Sequence, residues 1–467
     1  MAMAAHNGKS IDTLAVYSAA LVKEPPRPGS GSSLILFAAS LVGFLCSAMN
    51  GYDGSLYNAM AANTAFLRYF DGSNTGIWAG IMSSMYQIGG IAALPFVGPV
   101  NDSLGRRAGM FAGAAVVIVG TVVSATVTAG NVRQFLGGRF LLGFGVSISS
   151  SAGPMYTVEV SHPAYRGIVT ALLNTFWFIG SILASGTARA CVRMGGTASW
   201  RAPLWMQLFF AGTICALAFF LPESPRWLYV HKRRIRAQEM LVKYHGQGNP
   251  ESEWVKLQLM EYEAHLDKNG ADKRWWDYRV LFRNRVARYR TFCCCCVAVF
   301  GQWAGNGNGG TKDSPGTSPA AGTATLVFIF AFGAAFSIGF TPLQALYPVE
   351  MLSFEMRAKG MAFQSLVVNA AMLLNQFAWP VSLDKIGWRT YIIFCVWCGV
   401  QGVIVYLFIP ETKNCTLEEI DLIFDSTHAV QTSTQPREVA VSGRMLRSVP
   451  ITDGMEERRS SIIGSKP

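Results

Sequence analysis

Residues 106–129 read RRAGMFAGAAVVIVGTVVSATVTA, two arginines followed by a run from Ala108 to Ala129 that contains no charged side chain. A helix needs about 20 consecutive, mostly apolar residues to cross the hydrocarbon core of a bilayer. We therefore interpret 108–129 as a membrane span with its arginines in water. Runs of the same kind predict an all-α polytopic membrane protein of about ten spans, at 34–57, 77–99, 108–129, 135–157, 167–190, 204–221, 291–309, 324–346, 361–383 and 389–409.

The composition of the whole chain agrees with a membrane protein. Of the 467 residues, 51% are apolar and 14% are charged, whereas soluble domains carry about 25% charged residues. The net charge of +11 does not indicate nucleic acid, because Lys and Arg lie between the apolar runs rather than along one face. We expect the lipid bilayer as the surroundings and no nucleic-acid partner.

No pattern in the sequence indicates an enzyme. There is no Ser/His/Asp constellation, and the Gly-rich stretch 305–310 lacks the Lys-Ser/Thr that follows in a phosphate-binding loop. The ten cysteines, four of them consecutive at 293–296, show no zinc-type spacing with histidine. We expect buried free thiols, no catalytic residues, no cofactor and no metal.

The distribution of Lys and Arg orients the chain, because cytoplasmic loops carry an excess of these residues. The loops after the second, fourth, sixth and eighth spans hold most of them, so these loops and both termini are predicted to be cytoplasmic. The predicted parts are a cytoplasmic N-terminal tail (1–33), a six-helix bundle (34–222), a cytoplasmic linker with short helices (223–290), a truncated second bundle (291–411) and a cytoplasmic C-terminal tail (412–467).

Short charged motifs stand at the ends of the spans. The turn after the second span contains Asp102, Gly105, Arg106 and Arg107, where glycine permits a tight reversal and the charges can pair across neighbouring helix ends. Taken alone, this turn also fits a plain cytoplasmic hairpin with positive-inside arginines. The other motifs are Arg139 in RFLLGFG, PMYTVE (154–159) with Arg166, PESPRWL (222–228), YPVE (347–350) with Arg357, and PETK (410–413).

In this order the motifs resemble those of the sugar-porter branch of the major facilitator superfamily, most of all its fungal hexose and lactose-permease-type members. The resemblance covers about residues 34–425 and implies two six-helix bundles with a central site and alternating access. Glu159 and Glu350 each precede an arginine by seven residues, which indicates an internal repeat. The resemblance implies a cytoplasmic gate, to which we assign Asp102, Gly105, Arg106, Arg107, Glu159, Arg166, Glu223, Arg226, Glu350, Arg357 and Glu411.

Asp53 is a carboxylate within the first span. Such a residue is expensive in a membrane and by default suggests a functional site, although a position near the outer water interface would also accommodate it. The resemblance implies that an acid here takes up the proton in proton-coupled sugar porters. It also implies that Arg139 of the fourth span is its partner.

Side-chain amides both donate and accept hydrogen bonds, as binding a sugar requires. Asn174 stands where the family usually has Gln, and the segment with Gln302 and Asn306 is similar to a family motif in the seventh span. That segment departs from the motif, since Gly301 replaces its first Gln and the Asn comes one place early. Asn369 and Asn375 complete the predicted substrate-binding set, and a helix–helix hydrogen bond is the alternative role of each amide.

The family pattern has twelve spans, whereas the chain has about ten. The end of span seven and all of the eighth and ninth spans are missing after Gln302, which truncates the second bundle. A shortened splice product, an error in the gene model and a decayed paralogue all fit this pattern.

We expect a monomeric sugar:proton symporter for a hexose or a disaccharide, multi-pass in the plasma membrane. The alternatives are a non-transporting sugar sensor or decayed paralogue on the same scaffold, and an uncoupled facilitator.

Overall fold

The computed structural model describes residues 20–73, 76–269, 278–303, 354–387 and 389–411, together with short pieces at 327, 331–332, 335–336, 347–348, 351–352, 423–424, 429–434, 437–442 and 445–450. At 174, 264–269, 354–359, 362, 383, 432, 434, 437–442 and 445–450 it describes the backbone alone. The chain divides into two compact units. Unit 1 comprises 1–275, 307–311 and 372–387, and unit 2 comprises 276–306, 312–371 and 388–467.

The part of unit 1 before residue 221 contains six long helices and one short helix among the described residues. They are α1 (Gly31–Ala61), α2 (Thr64–Tyr69), α3 (Gly76–Pro99), α4 (Arg106–Ala125), α5 (Val132–Val160), α6 (Arg166–Val192) and α7 (Ala198–Leu217). A π-helical turn, Val100–Leu104, extends α3, and a 3-10 turn, Ala218–Phe220, extends α7. Side chains of Ser30, Asn63 and Asn131 cap the first turns of α1, α2 and α5 by accepting backbone N–H bonds.

Small residues allow these helices to pack closely. A Cβ atom on Gly113 of α4 would lie 2.6 Å from the backbone nitrogen of Ser149 on α5. A Cβ on Gly145 of α5 would lie equally close, 2.6 Å, to the carbonyl oxygen of Gly113. Glycine at such contacts lets backbones approach in the way that membrane helices favour. The α4–α5 interface therefore depends on residues without a side chain.

Three helices follow the bundle and pack on one end of it. They are α8 (Pro225–Val230), α9 (Arg234–Tyr244) and α10 (Glu253–Asn269). The indole N–H of Trp254 on α10 donates to the carbonyl of Glu24 at 2.9 Å, which attaches the chain before α1 to this group. We call this end of unit 1, with the turn at Gly105, residues 161–165 and residues 221–269, the linker face.

Unit 2 contains the remaining elements, except for part of one helix. A 3-10 turn (Tyr278–Leu281) leads into α11 (Arg285–Gln302), followed by α12 (Phe354–Ile386), α13 (Arg389–Phe408), α14 (Ala429–Thr434) and the strands β1 (Arg437–Ser442) and β2 (Met445–Pro450). From Met372 onward α12 belongs to unit 1. The indole of Trp303 donates to the carbonyl of Ala371 at 2.9 Å, which joins the end of α11 to α12. The strands pair antiparallel, with Arg437 opposite Pro450.

The all-α membrane architecture predicted from the apolar runs is confirmed. Among the described residues, seven helices are long and apolar enough to cross a membrane, namely 31–61, 76–104, 106–125, 166–192, 198–220, 363–386 and 389–408. Helices α5 and α11 occupy the fourth and seventh predicted positions but carry charges such as Arg139 and Arg290. Most of the predicted span 324–346 lies outside the described residues.

Candidate functional site

Asp53 lies on the buried face of α1. The residue is only 2% exposed, and neither carboxyl oxygen has a hydrogen-bond partner among the described residues. Burying a charged carboxylate without such partners is costly. The position therefore favours a group that exchanges a proton or receives a polar ligand.

Arg139 on α5 belongs to the same buried cluster. Its Nε donates to the carbonyl of Met82 on α3 at 3.0 Å, and its guanidinium lies over the rings of Tyr57 and Tyr86, 4.2 and 5.6 Å from their centroids. The cation acts electrostatically on Asp53, yet no ion pair joins the two residues in the described part of the chain. The expected partners are thus brought together without direct contact.

Gln207 on α7 is a further member of this cluster. It was not predicted from the sequence. It is 2% exposed, and its Oε1 accepts a hydrogen bond from the hydroxyl of Thr121 on α4 at 3.2 Å. It also interacts with the Asp53 carboxyl, outside the geometry of a full hydrogen bond. A lone amide inside the apolar run of the sixth span was the signal that could have identified it.

The phenol oxygens of Tyr57 and Tyr86 are also buried without hydrogen-bond partners among the described residues. Buried polar atoms are nearly always hydrogen-bonded, so each exception requires an explanation. Here the unpaired phenols share one cluster with the unpaired carboxylate of Asp53 and the guanidinium of Arg139. This arrangement can redistribute hydrogen bonds when a proton or a polar ligand enters.

A second cluster of charges connects helix ends at the linker face. Arg106 at the start of α4 donates to Glu159 on α5 from both Nε (2.9 Å) and a terminal nitrogen (3.2 Å). Its other terminal nitrogen donates to Asp102 at 3.1 Å and to the carbonyl of Asn101 at 2.8 Å. The hydroxyl of Ser224 donates to Glu159 at 2.5 Å. Charge-assisted, bidentate bonds of this type are the strong ones.

Arg107 extends the network to the end of α7. Its Nε donates to Glu223 at 3.0 Å and a terminal nitrogen donates to the carbonyl of Leu221 at 2.5 Å. Gly105 makes the reversal before α4, with φ +99 and ψ 163, a region that is essentially limited to glycine. A Cβ atom there would lie 2.9 Å from a carboxyl oxygen of Glu223. Glycine is thus required both by the backbone and by the ion pair.

Arg166 and Arg226 do not join this ion-pair network among the described residues. Arg166 is half-buried with its Nε unpaired, and Arg226 is exposed. Both act instead on Glu261 of α10, whose pKa is raised because burial outweighs these two cations. The clustering expected for these two arginines with Arg106 and Glu223 is therefore not formed by direct contacts.

A tyrosine-to-proline hydrogen bond of the same kind occurs within each half of the chain and agrees with an internal repeat. Tyr156, three residues before Glu159, donates its hydroxyl to the carbonyl of Pro222 at 2.9 Å. Tyr347, three residues before Glu350, donates to Pro410 at 3.3 Å. Of the other predicted gate residues in this half, Glu350 lies outside the described residues, Arg357 is described by its backbone alone, and the backbone N–H of Glu411 bonds to the Ser433 hydroxyl at 3.1 Å.

The predicted substrate amides divide between the units. Asn369 on α12 belongs to unit 2 and donates to the carbonyl of Ser365, one turn earlier, at 2.8 Å. Gln302 is the last residue of α11 in the same unit, whereas Asn375 falls in the part of α12 that belongs to unit 1. Asn174 lies on α6 and is described by its backbone alone, and Asn306 lies outside the described residues.

Two buried histidines at the linker face were also missed from the sequence. The rings of His162 and His245 lie 5.3 Å apart between their centroids. The Nε2 of His245 bonds to the carbonyl of Val160 at 3.0 Å, and its Nδ1 faces the amide nitrogen of Gln258 at 2.5 Å. Both bonds are satisfied only by the neutral ring with its proton on Nε2. Burial lowers the pKa of His162 to about 4 and that of His245 to about 3.

Known proteins share both the sequence pattern and the fold of this chain. A family model described as "Sugar (and other) transporter" matches residues 39–308 and 307–424. The MFS-type transporter criB of Aspergillus cristatus is 24% identical over 86% of this chain and 96% of its own length. The high-affinity glucose transporter of Kluyveromyces lactis is 23% identical over 83% and 84%.

Among solved structures, this chain is similar to the proton:xylose symporter XylE of E. coli bound to 6-bromo-6-deoxy-D-glucose. The TM-score is 0.64 at 19% identity, over 84% of this chain and 100% of that chain. This similarity shows the major facilitator fold. The family match covers well over half of the chain, including the charged network at the linker face. The chain is a multi-pass membrane protein that belongs to the sugar (and other) transporter family of the major facilitator superfamily.

Proposed function

We propose that this protein is a sugar:proton symporter that moves a hexose or a disaccharide by alternating access. The observation that carries the proposal is the buried carboxyl of Asp53, unpaired among the described residues and adjacent to Arg139, Gln207 and two unpaired phenols. An ionisable group within a membrane bundle marks an ion or substrate path. The family membership supports transport as the activity.

In the proposed mechanism Asp53 carries the proton. When it is charged, the Arg139 guanidinium stabilises it across the cluster, while the rings of Tyr57 and Tyr86 hold that cation in place. When Asp53 is protonated, the attraction disappears and Arg139 is held only by the tyrosine rings and the Met82 carbonyl. Protonation therefore changes the forces between α1, α3 and α5, which is how it would bias the bundle between two states.

The linker-face network is proposed as the gate on the cytoplasmic side. The bonds of Arg106 with Glu159 and of Arg107 with Glu223 tie the ends of α4, α5 and α7 together. Bonds to charged groups contribute about 1.5–3 kcal/mol each, enough to shift a two-state equilibrium. The excess of Lys and Arg on this face supports its cytoplasmic position, with both termini on that side of the plasma membrane.

A hexose or disaccharide is proposed as the substrate. The relatives include proteins described as high-affinity glucose transporters, and the similar structure XylE is described as a proton:xylose symporter. Asn174, Gln302, Asn306, Asn369 and Asn375 are the amides proposed to bind the sugar, one molecule per monomeric transporter.

A second candidate, a non-transporting protein on the same scaffold, is favoured by the poor packing of α13. Only 6% of its membrane window is buried, against 50% in α3 and α4. The family model matches in two stretches that meet at 307–308, as expected if a piece of the second bundle is missing there.

Uptake by a cell line without its own sugar transporters tests the proposed function. Cells producing the chain should accumulate labelled glucose, xylose or lactose above the outside concentration, and a proton uncoupler should abolish that accumulation. Saturable uptake that an uncoupler leaves unchanged would indicate a facilitator. No uptake of any of these sugars, at normal surface abundance, would favour the non-transporting candidate.

A further inference from the structure

The loop between α8 and α9 exposes a dense group of cations. The residues from His231 to Arg236 are all exposed, and they include Lys232, Arg233, Arg234 and Arg236. None of these four forms an ion pair with an acid among the described residues, and neither does the exposed Arg226 nearby. Positive-inside topology accounts for some cations here, but not for how they are held.

Aromatic rings fix two of these cations in place. The guanidinium of Arg233 lies 5.6 Å from the centroid of the Trp227 ring, and that of Arg234 lies 5.1 Å from the centroid of the Tyr229 ring. Trp227 is itself anchored, since its indole N–H donates to the carbonyl of Asp102 at 2.7 Å. A guanidinium that rests on a ring face keeps its N–H donors available to an anion.

The backbone of the same loop adds donors. Helix α9 begins at Arg234, and no side chain caps its first turn. Its first N–H groups and the positive end of the helix dipole therefore face the same exposed space as the cations. Lys232–Arg236 line an open depression of about 610 Å³, which can hold a headgroup larger than a single phosphate.

Apolar side chains lie among these cations. Ile235 lies within the basic run and is 76% exposed. Val230, which immediately precedes His231, is 52% exposed. Phe220, at the end of the membrane helix that precedes this loop, is 86% exposed. Cations next to exposed apolar side chains, shortly after a membrane span, are the combination that binds anionic lipid headgroups at a bilayer surface.

We propose that Lys232, Arg233, Arg234 and Arg236, together with the first turn of α9, bind the multiply charged headgroup of a phosphatidylinositol phosphate. Two acids of the surrounding helices, Glu239 and Glu263, offset only part of the positive charge, and Glu263 already accepts the hydroxyl of Tyr229 at 3.0 Å. The proposal rests on the proposed function for one point only, the cytoplasmic position of the linker face. The lipid would anchor α8 and α9 against the membrane beside the charged network.

The test uses the full chain purified in detergent and dioctanoyl phosphatidylinositol 4-phosphate as the probe. The triple variant Lys232→Gln/Arg234→Gln/Arg236→Gln should bind it at least about tenfold more weakly than the unchanged chain. Arg233 is kept in this variant because it packs on Trp227. The matched control, Arg283→Gln/Arg285→Gln/Arg288→Gln, removes three exposed cations from the start of unit 2 and should leave the affinity unchanged.

Three results of the binding experiment would overturn the lipid-binding proposal. Equal loss in both triple variants, no binding by the unchanged chain, or binding of inorganic phosphate as tight as that of the lipid would each overturn the proposal. Thermal unfolding without lipid checks that each variant is folded, and Lys232→Gln alone replaces the triple variant if it is not. Binding in detergent needs neither transport nor sidedness, so a failure here leaves the symport proposal intact.

Sidedness has its own measurement. A cysteine introduced as Arg236→Cys should react with a membrane-impermeant maleimide only after cells are permeabilised. The unchanged chain gives the background labelling of the native cysteines. Labelling in intact cells would contradict the cytoplasmic position of the linker face. The proposed gate and the proposed lipid site both depend on that position, whatever the result of the binding experiment.

Discussion

Arg106 and Glu159 are joined by two parallel hydrogen bonds, 2.9 and 3.2 Å long, between the start of α4 and the end of α5. Both side chains are largely buried, with exposed fractions of 11% and 9%. Asp102 bonds to the same arginine, yet its side chain is 73% exposed. One cation thus has a buried partner and an exposed partner, which allows the two to be compared directly.

We expect Glu159→Gln to destabilise the bundle more than Asp102→Asn does. The first change leaves a buried guanidinium partly unpaired and should cost about 2 kcal/mol, whereas a pair as exposed as the second contributes about 0–1 kcal/mol. Thermal unfolding of the purified variants measures the difference. Equal destabilisation by the two changes would mean that burial of the Arg106–Glu159 pair adds nothing.

Gly105→Ala should disrupt the turn before α4. A Cβ atom there would require a backbone conformation that costs about 1–3 kcal/mol and would contact the Glu223 carboxylate at 2.9 Å. Gly98→Ala is the control, because no described atom lies within 4 Å of the added Cβ. The readouts are the melting temperature and surface abundance. A melting temperature of Gly105→Ala at least as high as that of Gly98→Ala would show that the turn tolerates a side chain at position 105.

Much of this network was accessible from the sequence, because each of its charges lies at a predictable helix end. The apolar runs placed Asp102, Arg106 and Glu159 next to span boundaries, and charges at neighbouring ends can pair. Arg166 and Arg226 also stand at such ends, but the packing of α10 places Glu261 near them. Only the tertiary structure decides which of several nearby acids an arginine meets.

The buried polar cluster could be predicted only in part. Asp53 and Arg139 are conspicuous in apolar runs, whereas the stacking of Arg139 on Tyr57 and Tyr86 depends on how α1, α3 and α5 pack. Gln207 interacts with Asp53 from α7, far away in the sequence. The histidine pair was missed for the same reason, since His162 and His245 meet only when α9 packs against the bundle end.

The packing of the linker helices should weaken on acidification. Burial lowers the pKa of His162 from 6.5 to about 4 and that of His245 to about 3, so the unfolded form binds more protons below pH 6.5. The two histidines therefore leave the free energy of unfolding unchanged above pH 6.5 and lower it as the pH decreases toward 4. At about pH 5.5 the loss should be roughly 1.4 kcal/mol per histidine.

Neighbouring cations reinforce this direction. Arg166 disfavours a charge on either ring, and each imidazolium would repel the other. The side chain of Gln258 faces Nδ1 of His245, and its oxygen accepts the hydroxyl of Tyr262 at 3.2 Å. The Val160 carbonyl and the Gln258 side chain act in the opposite direction on His245, but burial outweighs them and keeps its pKa lowered.

Proteolysis of α8–α10 between pH 7 and pH 5 measures this dependence. We expect faster cleavage at the lower pH in the unchanged chain and a flatter profile in His245→Gln. His231→Gln is the control, because His231 is exposed and stacks on Trp227 with ring centroids 4.4 Å apart. A pH profile that His231→Gln flattens as much as His245→Gln would exclude the buried pair as its source.

We propose that a piece of the second bundle is absent and limits transport. A Cβ atom added at Gly399 or Gly402 on α13 would meet no described atom within 4 Å, whereas one added at Gly113 of α4 or Gly145 of α5 would lie 2.6 Å from a backbone atom. Uncovered faces lose interhelical bonds of about 0.6 kcal/mol each. The chain should therefore transport poorly, and a pair of family-type spans inserted between Gly307 and Ser314 should restore uptake.

The control for the insertion is a soluble Gly/Ser segment of equal length at the same place, which should restore nothing. Surface abundance must be equal across the three forms. Saturable transport by the unchanged chain at a rate typical of its relatives would show that the present spans suffice.

Asp53→Asn tests whether the buried carboxyl of Asp53 couples sugar transport to protons. Asparagine keeps the size of the buried side chain but cannot exchange a proton. Two rates are measured in the same vesicles or cells: uphill accumulation of labelled sugar driven by a proton gradient, and exchange of labelled for unlabelled sugar without a gradient. We predict that Asp53→Asn abolishes accumulation and retains part of the exchange. Accumulation in Asp53→Asn equal to that of the unchanged chain would contradict proton coupling through Asp53.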